Sequence, residues 1–372
     1  DVTNDLTITV TSLNGDPDLY VSDVTPTPGP SNYTWSATSF RNDSVTIPAS
    51  RLVPGRYYIA VTAYLNCTFT VLATYAGQTE LQSGRPQSDV VLKEQSKYYK
   101  LFVAPTTNDI TFSLTPRSGY AQVYVGKGVQ PEWNKPETYS WSSTNPYSAQ
   151  LIVIPSTDAN SCTSSGDDAY CTFFILVRGM TDAYYSITGS SGAGVIDLQE
   201  GHPIQSTVTA LEYQLFRFIA SNPERDLVIS ISPISGDPDV YVVTHEYDEQ
   251  MNGINAQGAN NTFYQWKSEL YGGDTIQILY DDNRFRLGEY SIAVYGASYS
   301  QFNLVATSSP RSGNVTTISL VDGLPMGGRI RTAGTYDYYT YQPSDPTSGI
   351  TFSVNRRTGD PDLFIGMFPT VP

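Results

Sequence analysis

Short segments in which every second residue is apolar dominate the chain. The clearest pattern occurs four times, at residues 6–10, 110–114, 227–231 and 350–354. Residues i and i+2 of a strand point to the same face, so this alternation predicts strands with one buried and one solvated face. Tyr, Thr, Ser, Val and Ile are abundant, whereas Ala-, Leu- and Lys-rich stretches typical of helices are missing. We therefore predict an all-β fold.

Each alternating strand belongs to a longer motif that recurs along the chain. A Leu-x-x-Gly-x-Pro segment begins at Leu81, Leu198 and Leu320, 117 and 122 residues apart. An aromatic strand follows each of these segments, and Gly-Asp-Pro-Asp stands at 15–18, 236–239 and 359–362. This order predicts tandem antiparallel β-sandwich repeats, jelly-roll-like and about 115 residues long.

The repeat predicts four sandwiches, the first and the last of them incomplete. The expected boundaries are residues 1–78, 79–192, 193–309 and 310–372. Trp35, Trp141 and Trp266 follow a Tyr-x pair in three copies, and we expect them to pack between the sheets. The connections are short, which indicates that neighbouring sandwiches contact each other.

Asp1 and Pro372 both fall inside a repeat, so the first and last sandwiches are expected to have bare strand edges. Bare edges tend to pair with other strands. Two arrangements would complete them. Either the covalent chain continues in the same array, or the C-terminal strands of one copy complete the first sandwich of the next copy, head-to-tail.

The order of motifs resembles the bacterial pre-peptidase C-terminal domain. The resemblance rests on a Tyr-rich strand, Gly-Asp-x-Asp-Leu-Tyr-Val, Trp-x-Ser/Ala and then Gly-x-Tyr-Tyr-Ile-x-Val, the last at residues 55–61. It implies a secreted, noncatalytic jelly-roll module of the kind appended to proteases and collagenases, stabilised by calcium in some members. The repeats fill these 372 residues and leave no space for a protease domain, which favours an array used as a building material.

Charge and hydropathy indicate which partners the chain is not expected to bind. The chain carries 21 basic and 36 acidic residues, a net charge of −15, which repels nucleic acid and anionic lipid. No apolar run approaches the roughly eighteen residues that span a bilayer. We therefore expect neither nucleic-acid binding nor membrane insertion.

Asn-x-Ser/Thr motifs predict covalent N-glycans. They occur at Asn32, Asn42, Asn66, Asn260 and Asn314. Chance alone would supply some of them in a chain rich in these residues. Asn32 and Asn260, however, both lie just before the Tyr-x-Trp sequence, in a loop of variable length where a glycan would be solvated.

Three cysteines occur in the chain. Cys162 and Cys171 bracket a Ser-Ser-Gly-Asp-Asp stretch typical of a hairpin tip, and the glycosylation motifs indicate an oxidising compartment, so we predict a disulfide between them. The alternative is three buried thiols. Cys67 has no assigned role.

The paired aspartates are candidate calcium ligands. They are Asp16/Asp18, Asp237/Asp239 and Asp360/Asp362. Two carboxylates close in sequence supply the hard oxygen atoms that Ca²⁺ prefers, although the intervening proline equally favours an Asx-type turn. The second repeat has Tyr120 and Gln122 at these positions and should lack the ion. No other cofactor is expected.

Catalytic signals are weak. His202 occupies a position where the other copies have Arg85 and Leu324, which indicates a solvent-facing turn, and His245 begins no His-Glu-x-x-His motif. Nothing marks a nucleophile elbow. We predict that the chain is not an enzyme.

Together these features predict an extracellular structural glycoprotein, secreted or at the cell surface, that builds a filament, hair or coat from tandem β-sandwiches. Its expected partners are copies of itself or further repeats. The alternative is a noncatalytic accessory module of a secreted hydrolase, which would present exposed Tyr and Trp to polysaccharide or collagen.

Overall fold

The computed structural model describes residues 5–39, 43–75, 78–146, 148–163, 169–192, 194–246, 264–310, 318–323, 325–328, 330, 334–343, 349–356 and 358–367. Almost every regular element in these residues is a β-strand, and several antiparallel sheets confirm the all-β sandwich fold. Short 3-10 turns at Ala49–Arg51 and Pro136–Thr138 interrupt them. No helix in the described part of the chain is long and apolar enough to cross a membrane.

The first sandwich, residues 5–75, is built on two long strands. Its strands are β1 (Leu6–Ser22), β2 (Trp35–Ala37), β3 (Asp43–Ile47) and β4 (Tyr58–Tyr75). β1 and β4 pair antiparallel, and their register shifts between Ser12 and Pro17. Gly15, at φ +73°, lies in this bend. The first half of β1 pairs with β3 and the second half with β2, so one strand serves both layers.

The second sandwich, residues 78–192, has nine shorter strands. They are β5 (Gln78–Glu80), β6 (Gln87–Val91), β7 (Ser96–Val103), β8 (Ile110–Ser118), β9 (Ala121–Lys127), β10 (Trp141–Ser143), β11 (Gln150–Ile154), β12 (Cys171–Gly179) and β13 (Ala183–Ser191). One sheet has the order β10-β9-β12-β7-β5 and the other β11-β8-β13-β6. Here the bend of β1 is replaced by a turn between β8 and β9.

The third sandwich, residues 194–310, follows the same plan. Its strands are β14 (Ile196–Asp197), β15 (Ile204–Val208), β16 (Tyr213–Ala220), β17 (Arg225–Ser235), β18 (Pro238–Thr244), β19 (Trp266–Ser268), β20 (Asp274–Ile278), β21 (Gly288–Gly296) and β22 (Ser300–Pro310). Its sheets have the orders β14-β16-β21-β18-β19 and β15-β22-β17-β20. The C-terminal segment, residues 318–367, contains β23 (Ile318–Ser319) and β24 (Tyr339–Thr340), which pair in parallel.

Each sandwich has its own apolar core between its layers. The three cores are separate clusters of buried residues. Trp266 is buried in the third core, and Trp35 and Trp141 are half-buried and pack against the first and second. The prediction that the tryptophans anchor the cores is confirmed.

Candidate functional site: the junctions between sandwiches

A glycine turn at two junctions makes the same pair of backbone hydrogen bonds, one within its own sandwich and one to the next unit of the chain. In the second sandwich Gly84 N–H donates to Gly189 O of the same sandwich (2.9 Å), and Asp197 N–H of the third sandwich donates to Gly84 O (2.8 Å). In the third sandwich Gly201 N–H donates to Ala306 O of the same sandwich (2.8 Å), and Ser319 N–H of the C-terminal segment donates to Gly201 O (3.0 Å). Both turn glycines have positive φ, +77° and +68°, which glycine adopts without a Cβ penalty. The Leu-x-x-Gly-x-Pro segment is therefore the joint between sandwiches.

A hydroxyl on one sandwich accepts a backbone amide from the next. Thr11 Oγ1 accepts from Ser88 N–H at 3.0 Å, and both residues are fully buried. Ser232, which occupies the place of Thr11 in the third sandwich, accepts from Gly327 N–H at 2.7 Å. At the middle junction β8 and β15 lie against each other. The hydroxyl satisfies an amide that would otherwise be buried without a partner.

The bend beside Gly15 in the first sandwich also contacts the third sandwich. Asn14 Nδ2 in the first sandwich donates to Ile219 O in the third at 3.0 Å. The corresponding turn of the second sandwich, residues 116–119, lines a small cleft with residues 320–322 and 341–342 of the C-terminal segment. The bend of the first sandwich therefore faces the third sandwich, and the corresponding turn of the second sandwich faces the C-terminal segment.

Gln199 is the residue at which three sandwiches meet. Its Nε2 donates to Ser12 O at 3.0 Å, and its Oε1 accepts from Arg117 Nη2 at 3.0 Å. Arg117 Nη1 lies 3.0 Å from His202 Nε2, and since a guanidinium can only donate, the imidazole nitrogen accepts. The expectation of a solvent-facing turn at His202 is therefore wrong, because the second sandwich covers this turn.

The aspartates expected to bind calcium lie beside the same bend. Asp16 is buried and Asp18 half-buried in β1, and Asp237 and Asp239 occupy the corresponding positions at the start of β18. Asp237 Oδ1 accepts from Gly272 N–H at 2.9 Å, as a loop-anchoring carboxylate does. Burial, then the charge of Asp16, raises the pKa of Asp18.

The third aspartate pair is in a different environment. Asp360 and Asp362 are exposed, and Asp360 Oδ1 lies 3.5 Å from Arg356 Nη1. Among the residues that the structure describes, no three His, Cys, Asp or Glu side chains are grouped so that they could hold a metal ion. Calcium binding by the aspartate pairs stays a prediction.

A third acidic residue, which no sequence motif singles out, lies beside the first pair. Asp43, the first residue of β3, is buried, and its two carboxyl oxygens accept from Leu19 N–H (3.2 Å) and Ser39 N–H (2.8 Å). Burial, together with the charges of Asp18 and Asp16, raises the pKa of Asp43 to about 6 despite these hydrogen bonds. Its carboxylate links Ser39 to Leu19 of β1.

The other sandwiches repeat this position. Asp274 begins β20 and is buried, and burial, followed by the charges of Asp274 and Asp237, raises the pKa of Asp239 to about 6. In the second sandwich, where the pair is replaced, the residue is Gln150, whose side-chain amide donates to Asn145 O and Ser148 O. All three positions are carboxylates in the first and third sandwiches and neutral residues in the second. This coordinated change is visible in the sequence and could have identified the third position.

The remaining predicted sites are the disulfide and the glycosylation motifs. Cys162 and Cys171 form a disulfide with their Cα atoms 5.9 Å apart, as predicted, and residues 164–168 between them lie outside the described residues. Cys67 is a free thiol in β4, and burial raises its pKa. Asn32 and Asn66 have exposed side chains, as a glycan would require. The other predicted glycosylation sites, Asn42, Asn260 and Asn314, lie outside the described residues.

Comparison with known protein families finds a match within the first sandwich. The family profile described as the bacterial pre-peptidase C-terminal domain matches residues 2–63. The first sandwich is similar to that domain. Domains of this family are noncatalytic β-modules associated with secreted proteins, and the disulfide is consistent with that setting. No curated protein matches the chain.

Proposed function

We propose that this protein is an extracellular structural glycoprotein, noncatalytic, whose tandem β-sandwiches build a surface filament, hair or coat. The observation that carries the proposal is the repetition of the joint: the carbonyl oxygens of Gly84 and Gly201 both accept a backbone amide from the next unit of the chain, Asp197 and Ser319 respectively. A joint used twice in one chain can be used by any number of further repeats, which is the property of a solenoid-like array.

Three further observations support this proposal. The pre-peptidase C-terminal profile at residues 2–63 and the disulfide agree with a secreted protein. Contacts to the next and to the next-but-one sandwich, such as Ser88 with Thr11 and Ile219 with Asn14, limit bending at the joints. Asn32 lies on an exposed loop, where a glycan would not disturb these contacts.

Immunogold electron microscopy of the native material tests the proposal. Antibodies raised against the third sandwich should label a surface filament or coat, with gold particles recurring along its length. Label confined to the medium, together with retention of the purified chain on polysaccharide or collagen, would reject the structural role and favour the accessory module.

A further inference from the structure

His202 lies in the joint between the second and third sandwiches, opposite a cationic side chain. It is half-buried, and its Nε2 lies 3.0 Å from Arg117 Nη1 of the second sandwich. Because the guanidinium can only donate, this hydrogen bond requires a neutral imidazole whose Nε2 carries no proton. The contact between the two sandwiches therefore depends on the protonation state of one ring.

The same guanidinium takes part in contacts among all three sandwiches. Arg117 Nη2 donates to Gln199 Oε1 at 3.0 Å, and Gln199 Nε2 donates to Ser12 O of the first sandwich at 3.0 Å. The guanidinium carbon also lies 5.4 Å from the centre of the Tyr184 ring, a cation–π contact that holds the group in place. A displacement of Arg117 would therefore disturb the contacts of all three sandwiches at once.

Protonation of His202 would turn this attraction into repulsion. A proton on Nε2 removes the hydrogen-bond acceptor, and it leaves an imidazolium and a guanidinium 3.0 Å apart. Like charges at this distance repel each other, so one of the two side chains has to move. An imidazole ordinarily takes up its proton at about pH 6.5, so a mildly acidic medium is sufficient to cause this change.

Three carboxylates near this contact bond to other partners. Asp197 lines the same cleft as His202, and its Oδ1 lies 2.6 Å from Arg217 Nε. Glu200 Oε1 accepts a backbone amide of β22 at 3.1 Å. Asp322 of the C-terminal segment lines a second cleft with Arg117, and its Oδ1 accepts a tyrosine hydroxyl at 3.1 Å. The guanidinium is thus the charge that directly faces the imidazole.

Asp43 and Asp239 take up protons in the same pH range, with the opposite effect on stability. Burial, together with neighbouring carboxylates, raises the pKa of each to about 6, so their protonation stabilises the fold as the pH falls. The folded chain, by contrast, disfavours a proton on His202, because Arg117 is already charged. The stability that this contact contributes at neutral pH is therefore lost as the pH falls below about 6.5.

We propose that the contact between Arg117 and His202 makes the joint sensitive to acid: it stiffens the joint at neutral pH and releases it below about pH 6.5. The backbone hydrogen bond from Asp197 N–H to Gly84 O does not titrate, so acid loosens the joint without separating the sandwiches. The inference goes beyond the proposed function, since the joint responds to acid whether or not the chain builds a filament.

Hydrogen exchange in the full chain at about pH 7.5 and pH 5 tests the proposal, because these values lie on either side of the imidazole titration. The reporter is the peptide of residues 195–203, in which Glu200 N–H donates to Leu13 O of the first sandwich. After correction for the pH dependence of intrinsic exchange, its protection should fall about tenfold at the lower pH. His202→Gln keeps an oxygen that can accept from Arg117 and does not titrate, so its protection should not fall.

Three further variants separate this contact from other titrating groups. His245→Gln removes the other histidine of the chain and, as the matched control, should keep the full loss of protection. His202→Lys carries a cation at both pH values and should show the low protection at both. Arg117→Gln leaves no cation opposite the ring, so its protection should not depend on pH.

Two results would overturn the proposal. One is an equal loss of protection in His202→Gln and in the original chain, and the other is full protection of His202→Lys at neutral pH. If His202→Gln does not fold, Arg117→Gln decides the question by the same measurement, and an undiminished loss there would count against the contact. None of these results would alter the immunogold pattern, so the array function is judged independently.

Discussion

Replacing Gly84 with alanine should weaken the joint between the second and third sandwiches specifically. A Cβ at this position would lie 2.0 Å from the backbone oxygen of Val195, and Gly84 has φ +77°. The left-handed conformation costs alanine about 1–2 kcal/mol. Because the obstacle is backbone rather than a flexible side chain, relieving the contact should cost about 1–3 kcal/mol more. The expected total loss is about 2–5 kcal/mol.

Gly128→Ala is the matched control. Gly128 lies in the same sandwich at φ +71°, and a Cβ there meets no atom within 4 Å, so this variant should lose only the conformational cost of about 1–2 kcal/mol. Urea unfolding compares the two stabilities. Hydrogen exchange of the peptide containing Asp197, whose amide donates to Gly84 O, reports the joint itself.

The two glycine variants should differ in both measurements. Exchange at Asp197 should accelerate in Gly84→Ala and stay unchanged in Gly128→Ala. Equal stability losses, with equal protection of the Asp197 amide, would refute the argument that close backbone approach at Gly84 holds the sandwiches together.

Three further predictions concern the first sandwich. The raised pKa of Asp43, about 6, means that the folded state holds this proton more tightly than the unfolded chain, so lowering the pH from 7 to 5 should stabilise the sandwich. Asp43→Asn places a neutral amide at this position, as Gln150 does in the second sandwich, and should remove about 1 kcal/mol of the stability gained between pH 7 and pH 5. Thermal melts at both pH values measure this gain, and an equal gain in the variant and in the original protein would contradict the prediction. If the calcium prediction is right, Ca²⁺ raises the thermal midpoint above its value in EDTA and Asp16→Asn/Asp18→Asn abolishes the rise; identical midpoints rule the ion out. Peptide mapping of native protein should find hexosamine mass on Asn32, and bare asparagine there would count against the glycan.

The all-β fold and the tryptophan anchors were predictable because they follow from local pattern. Apolar residues at every second position, as at residues 227–231, can bury one face only in a sheet. The disulfide between Cys162 and Cys171 was predictable because a short sequence separation restricts where two cysteines can meet. These inferences needed no knowledge of which strand lies beside which.

The joints, by contrast, depend on surfaces that meet only after folding. Nothing in the turn that holds His202 indicates that Arg117, 85 residues earlier, binds its ring. Likewise Asp43 lies remote in sequence from the Asp16/Asp18 pair, and only the pairing of β3 with β1 brings it near enough for their charges to contribute to its raised pKa.

The sequence by itself determined the alternation, the turn glycines and hence the strands and the class of fold, since these depend on neighbours within a few residues. The tertiary structure decided which faces of the sandwiches are covered. Thr11 and Ser88 illustrate this, because polar residues 77 positions apart become fully buried where the first and second sandwiches meet. Burial between sandwiches is a property of packing across long sequence separations, and no local pattern encodes it.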